Sequence, residues 1–311
     1  MTRSGLPPAD VLAINAVLVA SRQAADAICD RWSLAIVLSA LQGARRFNDL
    51  ARSTGMATRL LTDRLRTLEA SGILLRIPYS IRPLRHEYRL TNMGEQLQDV
   101  ILQMARWETG QGNAPSLRHL SCGSPLVPRL TCRSCGDEVS ARDIDLKTSP
   151  GQLRRMPDKK TSHRRTTLEV DSQSPGLNAY RTSLAIFGDK WGIEILLCAF
   201  FRIRRFGDFR ALTGIAANIL SDRLERLVAA GVLAKQGDTP QGGYRLTAAG
   251  LDLYGIIVEI QAWADAWLPD RYHSPVKLIH RGCGQEFRPR TVCRECGTAP
   301  GPGSLGFPAA G

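Results

Sequence analysis

With 311 residues, 43% of them hydrophobic, the chain is long enough for two ordinary domains with buried cores, which excludes a disordered basic tail. Forty-one Lys and Arg against 29 Asp and Glu give a formal charge of +12. A field of that sign favours a polyanion, nucleic acid ahead of a membrane surface.

The first apolar stretch, residues 11–20, is broken by Asn15 and followed by Arg22. It is too short for a membrane span and awkward as a signal peptide, so it reads as a helix in a cytoplasmic protein. Residues 34–41 have helical apolar spacing and stop at Gly43; residues 47–53 form a short helix ending near Gly55. The next helix, 58–70, is the informative one. At roughly 100° per residue, Leu61, Leu65 and Leu68 share a narrow face, while Thr58, Arg59, Thr62, Asp63 and Arg66 occupy the opposite arc. Arg64 falls near the packed side, which suits an ion pair or a phosphate contact better than base reading. After Gly72, residues 73–77 and 87–90 read as two strands joined by a loop with Arg82, Arg85 and His86, a basic wing. A final helix over 92–108 carries Leu97, Ile101, Met104 and Trp107 as its apolar stripe.

His119, Cys122, Cys132 and Cys135 follow, in the spacing His-x2-Cys-x9-Cys-x2-Cys. Cys-x2-Cys brings two thiolates to one ion from a tight turn, and Gly123 and Gly136 after the outer cysteines relieve positive φ there. The second arm completes a tetrahedral Cys3His set. Four protein ligands leave no open position, so the site is expected to hold a structural zinc. Residues 141–175 are polar, with Lys159-Lys160 and Arg164-Arg165, and read as a basic flexible linker. Its ends would lie about 33 Å apart, close to the roughly 34 Å between half-sites one DNA turn apart.

Beyond the linker the chain repeats itself. At an offset of 159, Arg31-Trp32 meets Lys190-Trp191, Arg45-Arg46-Phe47 meets Arg204-Arg205-Phe206, and Thr62 to Leu65 meets Ser221 to Leu224. The offset falls to 156 after the wing, pairing Tyr88-Arg89-Leu90-Thr91 with Tyr244-Arg245-Leu246-Thr247 and Trp107 with Trp263. It is 161 at the end, where His280, Cys283, Cys293 and Cys296 repeat the ligand pattern, again with glycines at 284 and 297. The expected organisation is a winged helix-turn-helix unit over 1–115, a Cys3His zinc module over 116–140, the linker over 141–175, a second unit over 176–275, a second module over 276–299 and a disordered tail over 300–311. The fold class is mainly α with small β wings: two winged helix-turn-helix domains, each followed by a small zinc-ribbon-like module. Three thiolates and a dication contribute about −1 per site, which leaves the holo-protein basic.

A helix-turn-helix lays its second helix in the major groove, where Arg pairs with guanine and Asn with adenine. Base contacts are therefore expected from Arg59, Thr62 and Arg66, with Thr58 beside them, and from Asn218 and Ser221. Arg45, Arg46, Arg204, Arg205, Arg82 and Arg85 are expected on phosphate. Glu225 stands where Arg66 does, and the second wing offers only Lys235 and Arg245. The second unit is thus expected to bind more weakly. Trp32, Trp107, Trp191, Trp263 and Trp267 sit on apolar faces and read as packing residues. Glu138 or Glu286 could be invoked as a base beside a catalytic metal, but no ligand spacing holds either of them. His86, His163 and His273 have no partners by spacing. No enzyme activity is expected.

The segments DRWSLAIVLSALQGARRFNDL, TRLLTDRLRTLEASGIL, HEYRLTNMGEQL and ARWE resemble HxlR-type winged helix-turn-helix regulators, and GDKWGIEILLCAFFRIRRFGDF, ANILSDRLERLVAAGVL, GYRLTAAGLDL and QAWAD repeat the match. The resemblance implies a bacterial repressor or activator that binds inverted repeats of double-stranded DNA as a homodimer through its terminal helices, with an effector the sequence does not identify. With two units in one chain, the expected assembly is an internal pseudo-dimer in place of the homodimer, or a homodimer of the chain. Redox-sensing members carry a cysteine about a dozen residues before the Trp, whereas Cys29 is three residues before Trp32. Cys29 and Cys198 read as small buried hydrophobes. The competing reading is a zinc-module protein that engages protein or RNA, with only nonspecific DNA affinity.

Overall fold

The computed structural model describes residues 8–28, 30–113, 117–148, 175–237, 242–268 and 276–307. The first half opens with α1 (Pro8–Ile28), α2 (Arg31–Leu41), α3 (Phe47–Thr54) and α4 (Thr58–Ala70). The Asp30 carboxylate accepts from the Trp32 and Ser33 amides and starts α2. Gly55, in the left-handed region, ends α3 and turns the chain into α4. Leu61, Leu65 and Leu68 are the buried residues of α4. They pack beneath α2, as the leucine spacing predicts.

The wing is longer than the sequence suggested. β1 (Leu74–Ile81) and β2 (Leu84–Leu90) pair antiparallel out to Ile81↔Leu84, so Arg85 and His86 lie in a strand rather than a loop. The final helix is split into α5 (Asn92–Glu95) and α6 (Gln98–Gly110). Thr91 caps α5, and Gly94 weakens helix propagation there. That glycine is required by packing, since a Cβ on it would stand 2.4 Å from the Ile73 carbonyl oxygen.

The second half repeats these elements. The helices are α7 (Pro175–Asn178), α8 (Arg181–Phe187), α9 (Lys190–Phe200), α10 (Phe206–Thr213), α11 (Ala217–Ala229), α12 (Ala248–Asp252) and α13 (Tyr254–Trp267), with a wing of β6 (Leu233–Gln236) and β7 (Gly243–Leu246). The pairs Leu74↔Leu90 and Leu233↔Leu246 mark equivalent wing roots, so the change of offset falls within the wing.

The halves are not beads on a linker. α1 packs on α9, α10 and α13 of the second half, while α8 packs on α2 and α6 of the first. α6 and α13 lie against each other. Trp107 Nε1 donates to Ala249 O, and Trp263 Nε1 donates to Met93 O, both at 2.8 Å. Since 93 and 107 correspond to 249 and 263, this is one contact made twice about a pseudo-two-fold axis. Trp267 reaches Gln96 across the same interface. Trp107 and Trp263 are buried, and Trp32 and Trp191 pack against the core. Burial of tryptophan bodies with satisfied N–H groups accounts for their placement at a docking surface.

The exchange continues beyond the helices. β4 (Pro128–Cys132) pairs with β9 (Pro289–Cys293) across the axis. β5 (Ile144–Thr148) pairs with β8 (Val276–His280), and β3 (Arg118–His119) with β10 (Leu305–Gly306). Two expected boundaries move as a result. Residues 141–148, assigned to the linker, form a 3-10 turn and β5; residues 300–307, assigned to a disordered tail, include β10. Leu146 and Leu305 are ordinary strand residues in polar surroundings, and their partners belong to the other half, so local composition carried no sign of them. Residues 149–174 of the linker, residues 308–311, Cys29, His163 and His273 lie outside the described residues.

The axis is imperfect in its charges. Lys190 pairs with Asp26 of α1, and Arg22 binds Glu194 at 2.7 Å. The counterpart of Asp26 is Ala185, so Arg31, the counterpart of Lys190, lacks the equivalent ion pair among the described residues; it is 7% exposed, beside Asp30, and stacks over Trp32.

Candidate nucleic-acid interface and metal centres

On α4, Thr58, Arg59 and Arg66 are exposed and Thr62 is half-buried; on α11, Asn218 is exposed and Ser221 half-buried. The faces carrying these residues are uncovered by the other half. Thr62 Oγ1 donates to Thr58 O, so its hydrogen is held by the helix and its lone pairs remain for a donor. Arg64 forms an ion pair with Asp30 at 3.2 Å, and Arg223 pairs with Asp189, the same contact in both copies. The two arginines tie α4 and α11 to the N-caps of the helices behind them, the first of the two roles, ion pair or phosphate contact, expected for Arg64. Burial raises the Asp189 carboxyl above its ordinary range, with Arg223 acting against the shift.

Arg45, Arg46, Arg204 and Arg205 are exposed at the start of α3 and α10. Their chain forms a third ribbon edge beside each wing: Tyr88 N donates to Arg45 O, and Tyr244 N to Arg204 O. The Arg46 guanidinium lies 4.7 Å from the centre of the Tyr79 ring. Arg82 and Arg85 project from the wing tip, both exposed. The structure therefore keeps all twelve proposed DNA contacts at or near the surface, in two sets. The second set is poorer in free cations. Asp222 pairs with Arg223 and Arg226 on α11, and Glu225 is exposed where Arg66 stands in the first copy. Tyr79, Ile81 and Leu84 were not singled out from sequence. The available signal was a pair of large apolar residues set among arginines in a predicted wing.

The eight Cys and His candidates do come together, but in a different grouping. One cluster is His119, Cys122, Cys293 and Cys296; the other is Cys132, Cys135, His280 and Cys283. In each, the four donor atoms lie within 4.8 Å of one another. The expectation of one complete site per module is thus corrected: each module gives its His-x2-Cys arm to one cluster and its Cys-x2-Cys arm to the other. The cause is the β4–β9 pairing, which sets Cys132 opposite Pro289 and Cys293 opposite Pro128 and so separates the two arms of a module. Spacing within a sequence is blind to that.

The donor geometry fits a four-coordinate ion. Cys122 Sγ and Cys296 Sγ lie 3.4 and 3.3 Å from His119 Nδ1; Cys135 Sγ and Cys283 Sγ both lie 3.4 Å from His280 Nδ1. A tetrahedron with metal–sulfur bonds of about 2.3 Å and metal–nitrogen bonds of about 2.0 Å has an S···N edge of about 3.5 Å. Gly123, Gly136, Gly284 and Gly297 all have φ between 69° and 82°, and each amide closes its turn onto the residue four positions before it. These are the turns the glycines predicted. Cys132, Cys293, His119 and His280 are buried, while Cys122, Cys135 and Cys296 are exposed. The Thr298 side chain and amide hold the Cys296 thiol down to about 6. Asp137 occupies the equivalent position beside Cys135. Glu138 and Glu286 pair with Arg129 and Lys277 on the strands nearby.

Between the clusters the interface buries polar groups. Gln103 Nε2 donates to Thr291 Oγ1, which donates to Glu259. Burial, with Asp99 nearby, pushes the Glu259 carboxyl up to about 8. Cys198 is buried and its thiol is pushed up to about 12, first by desolvation and then by Glu194. This agrees with its reading as a small core residue. No helix among the described residues is long and apolar enough to cross a membrane.

Two copies of a helix-turn-helix with a wing, docked about a pseudo-dyad, define a tandem transcriptional-regulator architecture. The family model described as HxlR-like helix-turn-helix matches residues 27–115 and again 186–272, more than half of the chain. The chain belongs to the HxlR-like helix-turn-helix family. It is 40% identical over 134 residues, 42% of its length, to the uncharacterized HTH-type transcriptional regulator Mb3122 of Mycobacterium bovis, covering 85% of that protein. It is 35% identical over 88 residues, 28% of its length, to the uncharacterized HTH-type transcriptional regulator YtfH of Escherichia coli, covering 70% of it. The crystal structure of PA1607 is 34% identical, covers 41% of this chain and 89% of its own, and gives a TM-score of 0.34.

Proposed function

We propose that the chain is a sequence-specific regulator that binds a pseudo-palindromic operator in double-stranded DNA, with its two halves acting as the two subunits of a dimer. The observation that carries the reading is the reciprocal pair of tryptophan hydrogen bonds, Trp107 to Ala249 and Trp263 to Met93, which docks the halves back to back and leaves both reading faces uncovered. Arg59, Arg66 and Thr62 on one side and Asn218 and Ser221 on the other make the base contacts, with Thr58 beside them. Arg45, Arg46, Arg82, Arg85, Arg204 and Arg205 hold phosphates. Two structural zinc ions occupy the Cys3His clusters. Each would join the halves, because each takes ligands from both.

The test is selection of duplexes from a random pool followed by mobility shifts on the recovered sequence. Arg59→Ala, with its circular dichroism unchanged, is expected to lose discrimination between that sequence and a scrambled one. Equal affinity for both duplexes in the unmodified chain, with a salt slope untouched by substitutions on α4, would instead favour a module for protein or RNA with only nonspecific DNA affinity.

A further inference from the structure

We propose that the tip of the first wing is an apolar wedge for the DNA minor groove, in which Ile81 and Leu84, flanking the Arg82-Pro83 turn, enter between base steps while Arg82 and Arg85 hold the adjoining phosphates. The proposal rests on the reading of the chain as a duplex-DNA regulator and adds a deformation of the duplex that this reading does not require.

Ile81 is 83% exposed and Leu84 63%. Leu75 and Tyr79, also exposed, lie on the same ribbon. Ile81 and Leu84 are registered partners, so their side chains project from one face of the ribbon end. Arg85, paired with Ser80, projects from the other face. Beyond the edge supplied by Arg45 and Arg46 the ribbon end is two strands alone, with no layer in which to bury two such side chains, and clustered exposed apolar groups on a folded protein mark a binding surface.

Charge decides which partner fits. Arg82 and Arg85 adjoin the tip, Arg46 over Tyr79 and Arg76 beside His86 lie lower on the ribbon, and Glu87, the one acidic residue between 74 and 90, is neutralised by Arg89. The Tyr79 ring is held under the Arg46 guanidinium, which stiffens the ribbon below its tip. Eight residues of β1 span roughly 26 Å, and the ribbon springs from the end of α4, against which its root packs. A duplex seated on α4 therefore lies within its reach. Small apolar side chains between base steps unstack them and kink the duplex, and Ile, Leu and Pro are among the residues that serve. The second wing has strands of four residues, and its connecting sequence, Gly237 to Gly242, holds no large apolar residue. The deformation is accordingly one-sided.

The experiment uses the full chain and a duplex it selects from a random pool, with 2-aminopurine placed at successive steps on the side of the first unit. Wild type is expected to raise the fluorescence at one step and to bend the duplex in circular-permutation mobility shifts. Ile81→Ser with Leu84→Ser is expected to abolish both signals, to weaken binding roughly tenfold and to leave the salt slope unchanged. Arg82→Ala with Arg85→Ala is expected to lower the salt slope. Unstacking and bending that persist in the Ile81/Leu84 variant would overturn the wedge, as would a wild type that binds the selected duplex without bending it. So would loss, in that variant, of binding to anionic phosphatidylserine vesicles or of self-association in gel filtration while the bend survives, since the patch would then serve a membrane or a second copy. A wild type that selects no sequence at all sinks the regulator reading and the wedge with it. Retained selection without unstacking sinks the wedge alone.

Discussion

The two copies of the unit agree behind α4 and α11 and disagree in front of them. Asp30–Arg64 recurs as Asp189–Arg223, the Thr91 cap recurs at Thr247, and the tryptophan contact is made twice. On the outward side Arg59 becomes Asn218, Arg66 becomes Glu225, and an eight-residue wing strand becomes one of four. What is shared is what docking and packing require; what differs is the surface offered to a partner. One fused chain allows such a division, because a homodimer must present the same surface twice whereas this pseudo-dimer can present two.

The largest expected effect concerns the joint between the copies. Cys122→Ser with Cys293→Ser removes two ligands from one cluster and is expected to leave one bound zinc per chain by metal analysis. Cys122→Ser with Cys132→Ser damages both clusters and is expected to leave none, whereas ligation confined to a module would reverse the two results. Chelation of the ions is expected to lower the melting temperature by far more than any surface substitution, since ligand sets of this kind contribute folding energy outright.

Next in size is the difference between the reading faces. Arg59→Ala is expected to weaken operator binding by about 1–3 kcal/mol, and Asn218→Ala by less, in a paired titration on one duplex. Equal losses would erase the asymmetry between the two faces. Trp107→Phe keeps most of the apolar contact but leaves the Ala249 carbonyl without its donor, and is expected to cost about 1 kcal/mol in denaturant unfolding. Trp263→Phe should match it if the pseudo-dyad is energetically even.

Glu259 gives a pH signature. Its folded carboxyl titrates at about 8 against an ordinary value of 4.5, so between those pH values the folded state holds a proton that the unfolded state has lost. Stability should therefore decline as pH rises through that window and level off above it. Glu259→Gln is expected to flatten the decline; an unchanged pH profile would refute the assignment. The smallest effect is expected from Glu225→Gln, an exposed site, which should tighten DNA binding roughly twofold to fivefold by easing repulsion from phosphate.

Much of this architecture was legible in the order of residues. The leucines of α4 announced a packed face and hence its free one, and the offsets of 159 and 156 announced a second copy. The off-face angle of Arg64 removed it from base reading and left an ion pair or a phosphate contact, of which the structure shows the ion pair. What escaped were the contacts whose two partners lie in different halves. Residues 144–148 look like linker because the strand that completes them, Val276–His280, is far away in sequence. The ligand groups were identified residue by residue yet divided wrongly, since a Cys-x2-Cys turn records the presence of a partner arm and not its address. The outer part of the wing escapes pattern because Pro78 and Tyr79 stand at an irregularity in its register, where strict alternation fails.

The crossed ligand sets also bear on how the chain is made. A nascent polypeptide that has emerged only through Cys135 carries half of each quartet and the whole of neither; the first cluster to close must wait for His280 and Cys283, and the other for Cys296. N-terminal segments fold first during synthesis, so the early winged unit would stand on the ribosome with four unligated thiol and imidazole groups and an uncovered α6. An ion taken up by either cluster would thus be captured only after the second half has been made, and would act as a latch between the halves.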